Sequence, residues 1–252
     1  MKIVVTVKQV PDPGGVNRLT GDNRLDRSGD VALDPGDEYG VEAALRLKDS
    51  LGAEVVAVSM TPERGSDAIR KALGMGVDRA IHVCDEALAG ADALTTARVI
   101  AAVAAAEAPD LIILAPESTD GSTGMVPPMV AELLGFPQLT FAKNLEVADG
   151  RVTIHRQTAN GYQVIEAALP ALVTVTAAIG DPRYASLKGI MAARSKEVRR
   201  VTLAEIGVER GPAPEKVTSV VDAEQRAAGE VFEDDGTAAE RIIVFLQTAK
   251  VI

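Results

Sequence analysis

The residues best suited to bind a small ligand lie in a turn rich in glycine and hydroxyl side chains at positions 116–124, which reads PESTDGSTG. An apolar run at 111–115 precedes this turn, and an apolar helical pattern follows it. A strand-to-helix turn of this kind presents free backbone N–H groups and the positive end of a helix dipole, which together bind phosphate. The turn matches neither GxxxxGK(S/T) nor GxGxxG, and its Ser and Thr residues could instead cap the helix. We expect a nucleotide site here, with simple helix capping as the alternative.

Two other short segments are expected at the same edge of the protein. Thr6-Val7-Lys8 ends the first predicted strand, and Asp34-Pro35-Gly36-Asp37 precedes the first predicted helix. Open α/β sheets bind their ligands at the carboxyl ends of parallel strands. Lys8 could therefore contact a phosphate or pair with Asp37, and an ordinary surface lysine is the alternative.

The sequence contains no arrangement of residues typical of side-chain catalysis. HExxH, GxSxG and catalytic carboxylate pairs are absent. His82 and His155 fall in strand-like runs, so we expect partly buried strand residues, and Cys84 is expected to be a small core residue. A single cysteine excludes a disulfide framework and a thiolate metal cluster. We therefore expect a protein that is not an enzyme and that holds no metal.

The overall composition excludes several classes of partner. A net charge of −10 opposes binding to a nucleic acid backbone, and 3% aromatic residues with no Trp argue against base stacking. The N-terminus lacks the pattern of a signal peptide, and no apolar run approaches the length of a membrane span. We expect a cytoplasmic protein without direct membrane insertion.

Strand-like and helix-like patterns alternate through the first half of the chain. The strand candidates are residues 3–7, 53–60, 80–83 and 111–115, and the helix candidates are residues 38–50, 66–73, 92–107 and about 124–134. Gly52, Gly76 and Gly135 follow three of these helices, where a residue tolerant of left-handed geometry is favoured. Apolar strands alternating with helices predict an α/β fold with a doubly wound, mostly parallel sheet.

The pattern changes after Pro137. Asp149-Gly150 and Asn160-Gly161 lie between strand-like runs, and both dipeptides are typical of hairpin turns in which the two residues take positive φ. We expect an antiparallel excursion over residues 144–168 that returns to the sheet at 172–176.

The last part of the chain has a different composition. Residues 201–230 are polar and include Pro212 and Pro214. An acidic patch of Glu230, Glu233, Asp234 and Asp235 comes next, and an apolar helix-like end follows it. We expect residues 1–220 to form one α/β domain, and residues 221–252 to form an arm that packs on that domain or on another chain.

Residues 183–200 differ from the acidic remainder of the chain, because they carry six basic residues and one acidic residue. Four apolar side chains lie between these charges: Tyr184, Leu187, Ile190 and Met191. No strand or long amphipathic helix is predicted to bury them. We interpret the segment as a loop that protrudes from a sheet edge and docks on an acidic partner. A linker that folds its apolar side chains back onto its own domain is the alternative.

Taken together, these segments resemble the beta subunit of electron transfer flavoprotein, in an actinobacterial-like form, over essentially the whole chain. The landmarks are VKQVP at 7–11, DEYGVEAALRLKD at 37–49, IRKALGMGVDRAIHV at 69–83, STDG at 118–121, ELLGFPQLTF at 132–141 and LPALVTVTAAIGDPRYASLKGIMAARSKEV at 169–198. The last landmark is the most specific, because its composition is unusual and its length makes a chance match implausible.

The resemblance implies an adenine nucleotide alpha hydrolase-like fold and a heterodimer with an alpha subunit, on which residues 221–252 pack. It implies FAD held mainly by the alpha subunit, a structural AMP in this subunit, and electron transfer from acyl-CoA or other flavin dehydrogenases to a quinone oxidoreductase. The implied AMP contacts are Thr6, Asp34, Pro35, Gly36, Asp37, Met60, Ala115, Ser118, Thr119, Asp120, Gly121, Ser122, Thr123, Gly124, Met125 and Val126. The implied partner contacts are Tyr184, Leu187, Ile190, Met191, Arg194 and Lys196, with Leu187 as the apolar anchor and Arg194 and Lys196 as steering charges.

Three positions depart from the pattern of the family. Met125-Val126-Pro127 stands where a Gln-Thr/Val-Gly run is usual, Ala159-Asn160 replaces acidic residues, and Gln157 replaces a Glu that is thought to bias the flavin-domain swivel. Two other functions remain alternatives: a bifurcating beta subunit with a second FAD, and a stand-alone nucleotide sensor of the universal stress type. The second alternative would need neither the basic segment nor the apolar tail.

Overall fold

The structure, a computed structural model, describes residues 1–211, 217–221, 229, 231 and 233–252. Pro212 and Pro214 of the expected polar stretch, and Glu230 of the expected acidic patch, lie outside the described residues. The chain divides into two compact units, Met1–Val217 and Thr218–Ile252.

Strands and helices alternate through the first unit, as the sequence predicts. The strands are β1 (Lys2–Thr6), β2 (Gln9–Pro11), β3 (Val31–Leu33), β4 (Glu54–Met60), β5 (Arg79–Val83), β6 (Leu111–Leu114), β7 (Gln138–Ala148), β8 (Arg151–Thr158), β9 (Gly161–Ala168), β10 (Ala171–Val175) and β11 (Val198–Val201). The helices are α1 (Pro35–Leu51), α2 (Ser66–Met75), α3 (Ala93–Glu107), α4 (Val126–Leu134) and α5 (Leu187–Ala193), with 3₁₀ turns at Glu63–Gly65, Glu86–Leu88 and Ala177–Ile179. Gly52, Gly76 and Gly135 end α1, α2 and α4, as predicted.

Nine of these strands form one sheet in the order β11-β5-β4-β1-β6-β10-β7-β8-β9. Neighbours are parallel from β11 to β7 and antiparallel from β7 to β9, while β2 and β3 form a separate antiparallel pair. The central strands β6 and β10 are buried along their whole length, because helices cover both faces of the sheet. The predicted doubly wound α/β fold is confirmed.

Two hydrophobic cores lie on opposite faces of the sheet. One packs α1, α2 and the end of α5 against side chains such as Ile3 and Val5 of β1. The other packs α3 and α4 against Val4 of the same strand and Ile112 of β6. Because successive residues of a strand point to opposite faces, adjacent apolar residues supply both cores.

The antiparallel excursion forms as expected, but its two turns differ. Asp149 and Gly150 both have positive φ, 50° and 72°, which is the geometry of a type I′ hairpin turn. In the second hairpin Thr158 pairs with Gly161, so the turn consists of Ala159 and Asn160. Gly161 alone of the expected Asn-Gly pair has positive φ, 146°, and it does so as the first residue of β9. The predicted role of Asn160 as a positive-φ residue is therefore wrong.

The basic segment 183–200 is not a loop protruding from a sheet edge. It leaves β10, which lies inside the sheet, passes α1 and α2, and forms α5 before it pairs as β11 with β5 at the far edge. The segment is thus a crossover connection between parallel strands. Neither α5 nor β11 is predicted from the sequence, because each is short and neither has an extended apolar pattern.

The isolated titratable residues have mixed outcomes. His155 is partly buried in β8, as predicted, whereas His82 lies in strand β5 as predicted but is buried there almost completely. Cys84 is not a core residue, because it is only partly buried and its Sγ accepts a hydrogen bond from Arg200 Nη2 at 3.3 Å. Among the described residues, no group of three or more His, Cys, Asp or Glu could hold a metal ion.

The second unit contains helix α6 (Ala238–Thr248), whose residues are exposed or half-buried. Apolar side chains exposed along this helix include Ile242, Ile243, Val244 and Phe245. In the part of the chain that the structure describes, no helix is long and apolar enough to cross a membrane.

Candidate functional site

The candidate nucleotide site lies where the strand order of the sheet reverses. After β1 the chain proceeds through α1 to β4 on one side, and later returns through α3 to β6 on the other side. Loops that follow such neighbouring strands diverge and leave a crevice at the carboxyl edge. The turn at 116–124, the Thr6 strand end and the start of α1 all meet at this edge, as the sequence predicts.

Asp34 joins the start of α1 to this turn. Its side chain is fully buried, and Oδ1 accepts a hydrogen bond from the N–H of Gly36 at 2.8 Å as the N-cap of the helix. Oδ2 accepts from the N–H and the Oγ1 of Thr119, at 2.8 and 3.0 Å. Gly36 packs closely here, since a Cβ on it would lie 3.0 Å from the Cβ of Ala115. The start of α1 and the end of β6 are thereby held together.

Asp37 connects the ends of the two strands at the reversal point. Its carboxylate accepts hydrogen bonds from the N–H of Lys8, at 2.7 Å, and of Ala115. Burial, together with the neighbouring Asp34 carboxylate, raises the pKa of Asp37 well above its ordinary value of 3.8. Asp37 therefore stabilises the edge through backbone N–H groups and not through a cation.

Lys8 does not pair with Asp37 through its ammonium group, contrary to one of the two expected contacts. Lys8 Nζ instead contacts Asp120 Oδ1 at 2.6 Å and Ser118 Oγ at 3.1 Å. Arg27, for which the sequence contains no signal, forms an ion pair with the other carboxylate oxygen of Asp120. Burial opposes ionisation of Asp120, but Lys8 and then Arg27 outweigh it, so that the pKa of Asp120 is lowered.

The hydroxyl side chains of the turn do not cap the following helix. Met125 is the N-cap of α4 and, within the described chain, no side chain accepts a hydrogen bond from the first turn. The N–H groups of residues 123–126 have no partner among the described residues, and Pro127 and Pro128 carry no N–H group. A short run of backbone donors at the start of a helix fits a phosphate group. The alternative, in which Ser and Thr side chains of the turn cap α4, is wrong.

The other implied AMP contacts lie at neighbouring strand ends or in the exposed part of the turn itself. Thr6 and Met60 are at the carboxyl ends of the neighbouring strands β1 and β4, where Met60 is partly buried against one core. Gly121, Ser122, Thr123, Gly124 and Met125 are exposed, and Ser122 and Gly124 have positive φ, 44° and 62°.

The implied partner contacts are brought together on α5 and at its ends. Tyr184 is 98% exposed and Leu187 is 76% exposed, and Ile190 and Met191 are also exposed. Lys196 is not available as a steering charge, because its Nζ donates to the carbonyl groups of Leu73 and Val77 at the end of α2. Leu187, Ile190 and Met191 belong to α5, while Tyr184, Arg194 and Lys196 flank this helix.

Two glycines allow α5 to lie directly against α2. A Cβ on Gly189 would overlap the carbonyl oxygen of Gly74, and a Cβ on Gly74 would lie 3.3 Å from the Cβ of Ala185. Arg70 Nη1 donates to the carbonyl of Ala193 at 2.8 Å and so caps the end of α5. Both glycines occur inside helices, where glycine is unfavourable, and that was the available sequence signal.

Glu42 holds the other end of the crossover. This buried side chain accepts hydrogen bonds from Arg46 Nε at 2.8 Å, and from the N–H and Nε of Arg183 at 3.1 and 2.7 Å. Arg46 in turn donates to the carbonyls of Ile179 and Asp181. The turn before α5 is therefore fixed to α1. Glu42 and Arg183 are 141 positions apart in the sequence, so hydrophobic periodicity could not predict that they pair.

The fold and this edge define a doubly wound α/β protein with backbone donors gathered at its reversal point. The chain belongs to the electron transfer flavoprotein family, because the electron transfer flavoprotein domain matches residues 22–206. It is 42% identical to the electron transfer flavoprotein subunit beta of Mycobacterium leprae, with 99% of both chains covered. It is 33% identical to that of Thermoanaerobacterium thermosaccharolyticum over 92% of both chains, and 32% identical to that of Megasphaera elsdenii over all of both chains.

Proposed function

We propose that this chain is the beta subunit of a heterodimeric electron transfer flavoprotein and works in the cytoplasm as an electron carrier subunit without side-chain catalysis. It would accept electrons from acyl-CoA or other flavin dehydrogenases and pass them to a quinone oxidoreductase or the respiratory chain. The observation that carries this proposal is the full-length similarity to proteins named as beta subunits. That similarity does not favour a stand-alone nucleotide sensor.

The proposed division of labour places the redox chemistry on FAD, held mainly by the alpha subunit. Residues of this chain would bind and orient cofactors and partners. The arm at 221–252, which includes the apolar helix α6, would pack on the alpha subunit.

A structural AMP is proposed for the edge where β1 and β6 meet. The support is the set of N–H groups at residues 123–126, which have no partner among the described residues and lie at the start of α4. Asp34 and Lys8 fix the preceding residues through Thr119 and Ser118, so these donors are held in place before a ligand binds. Such preorganisation lowers the entropic cost of binding.

The exposed side of α5 is proposed as the docking surface for dehydrogenases. Leu187 and Met191 are apolar and exposed there, while the helix itself is fixed against α2. Arg194 is exposed, and its guanidinium group has no hydrogen bond or ion pair with the described residues, so it remains available to an acidic partner. Apolar contact with basic residues beside it suits a partner pocket with an acidic rim.

The central test is co-expression with a candidate alpha subunit, followed by release and identification of the bound nucleotides. One FAD and one AMP per heterodimer are expected. Two FAD per heterodimer would replace the AMP proposal with a bifurcating subunit. A monomer that binds only ATP and forms no heterodimer would overturn the proposed function.

Leu187→Ala tests the docking surface. Transfer of an exposed leucine into an apolar pocket is worth about 1.5–3 kcal/mol, so KM for the dehydrogenase should rise roughly 10- to 100-fold. The flavin absorption spectrum should stay unchanged. Val16→Ala is the matched control, because Val16 is an equally exposed apolar residue in a different segment. Equal KM values for Leu187→Ala and the parent would refute the docking role.

A further inference from the structure

Three carboxylates are buried where the proposed nucleotide site needs to accept a phosphate. Asp34 is 0% exposed, Asp37 is 6% exposed, and the side chain of Asp120 is 2% exposed. Negative charge with little solvent screening repels a phosphate, and the repulsion is stronger than it would be at the surface. A phosphate can therefore bind at this edge only if the carboxylates are neutralised or already fully engaged.

The three carboxylates are stabilised in different ways. Asp34 accepts hydrogen bonds from the backbone N–H groups of Gly36 and Thr119, and Asp37 accepts one from the N–H of Lys8. Asp120 is instead held between two cations, with Lys8 on Oδ1 and Arg27 on Oδ2. Oδ2 is fully buried and has no aligned hydrogen bond among the described residues, so the guanidinium group of Arg27 is its compensating charge. Asp120 also lies in the turn that would bind the nucleotide.

Arg27 comes from a segment that is otherwise separate from the site. Residues 12–30 connect β2 to β3, and a hydrogen bond of 2.9 Å from the N–H of Asp12 to the carbonyl of Asp30 closes their base. Most of these residues are exposed, whereas the Arg27 side chain is only 37% exposed because it reaches Asp120. Arg27 and Asp120 are 93 positions apart in the sequence.

We propose that Arg27 is a positioning residue for the nucleotide-binding turn. By pairing with Asp120 it fixes the turn that leads to the N–H groups of residues 123–126, which have no partner among the described residues. Together with Lys8 it also gives the cluster around Asp120 a net positive charge, which favours a phosphate. The inference rests on the proposed binding of AMP, and it adds the segment 12–30 to the parts of the protein on which that binding depends. Lys8 alone leaves Oδ2 as a buried, uncompensated carboxylate oxygen, which is costly.

The test uses the full chain co-purified with its alpha subunit and stripped of nucleotide. AMP affinity is measured by equilibrium dialysis for the parent, Arg27→Gln, Arg27→Lys and Arg18→Ala. Arg18 is the matched control, because it is an exposed arginine of the same segment. We expect Arg27→Gln to weaken AMP binding by about tenfold, a size typical of losing one well-placed charge, with Arg27→Lys in between and Arg18→Ala like the parent.

Hydrogen exchange of residues 116–126 in the nucleotide-free protein provides a second, independent measurement. Arg27→Gln should accelerate exchange in that turn, while Arg18→Ala should not. If the parent binds AMP and Arg27→Gln binds it within twofold of the parent, the inference is wrong. If the parent binds no nucleotide, the AMP proposal fails, and unchanged exchange in Arg27→Gln would then overturn the positioning role as well.

Discussion

Gly189→Ala tests whether α5 is a preformed docking element that depends on close approach to α2. Gly189 does not have a positive φ, so its backbone conformation is open to any residue. What excludes a side chain is the carbonyl oxygen of Gly74, which a Cβ at position 189 would overlap. Alanine would therefore force the two helices apart, by roughly 1 Å if normal contact distances are restored.

Two opposing effects determine the size of the change. Alanine is favoured over glycine in a helix by about 1 kcal/mol, and overpacking at a rigid backbone contact costs about 1–3 kcal/mol. The displacement would also lengthen the 2.8 Å hydrogen bond from Arg70 to the carbonyl of Ala193. We expect a net local destabilisation of about 0–2 kcal/mol, confined to α5 because this helix is short and peripheral.

The measurement is hydrogen exchange of residues 186–196, combined with KM for a partner dehydrogenase. Gly189→Ala should show faster exchange and a raised KM, with the free energy of global unfolding little changed. Gly40→Ala is the matched control, because Gly40 is also helical but an added Cβ would make ordinary contacts, at 3.6 Å from Val5, 3.8 Å from Ile113 and 4.0 Å from the backbone of Leu114. That control should stabilise the protein by about 0.5–1 kcal/mol. If Gly189→Ala raises protection in the way that Gly40→Ala does, the close-packing argument is wrong.

Two further predictions concern buried carboxylates. Burial opposes the ionised form of Glu42, but hydrogen bonds from Arg183 and Arg46 outweigh this effect and lower the pKa of Glu42. Its contribution to folding stability is therefore present at neutral pH and is lost as the pH falls below 4.5. Glu42→Gln should be less stable than the parent at pH 7, with the difference shrinking at lower pH, and a pH-independent difference in denaturant titrations would contradict this. The pKa of Asp37 is raised, so the folded state holds that proton more tightly, and stability should fall as the pH rises from 3.8 through the folded pKa. Asp37→Asn should therefore gain stability relative to the parent as the pH rises over that range, and parallel curves would refute the argument.

Most of the parallel sheet could be predicted because its signals are local. A strand such as β6 is buried along its whole length and must be apolar at every position. The helices α1 and α4 end at Gly52 and Gly135, whose left-handed geometry is encoded by the glycines themselves. These features depend on a few adjacent residues, so no knowledge of distant partners is needed.

The crossover at 183–200 shows what a local pattern does not contain. Its basic residues suggest a solvated loop, yet Arg183 forms ion pairs with Glu42 and Asp49. Lys196 likewise donates hydrogen bonds to carbonyl groups at the end of α2. Charge composition predicts that a segment is polar, but not whether each charge faces solvent or a buried partner. The docking role that we propose is therefore limited to the exposed residues of α5 and of its ends.

Lys8 illustrates why a site can be located from sequence while its contacts cannot. The sequence predicts Asp37 as an acidic partner of Lys8 and contains no signal for a pairing with Asp120. In the structure the N–H of Lys8, which lies between β1 and β2, contacts Asp37, while its ammonium group contacts Asp120. The same residue thus joins the end of β1 to α1 and, separately, to the nucleotide-binding turn. Removing its side chain would affect only the second link, so the two acidic partners are not interchangeable even though both are aspartates.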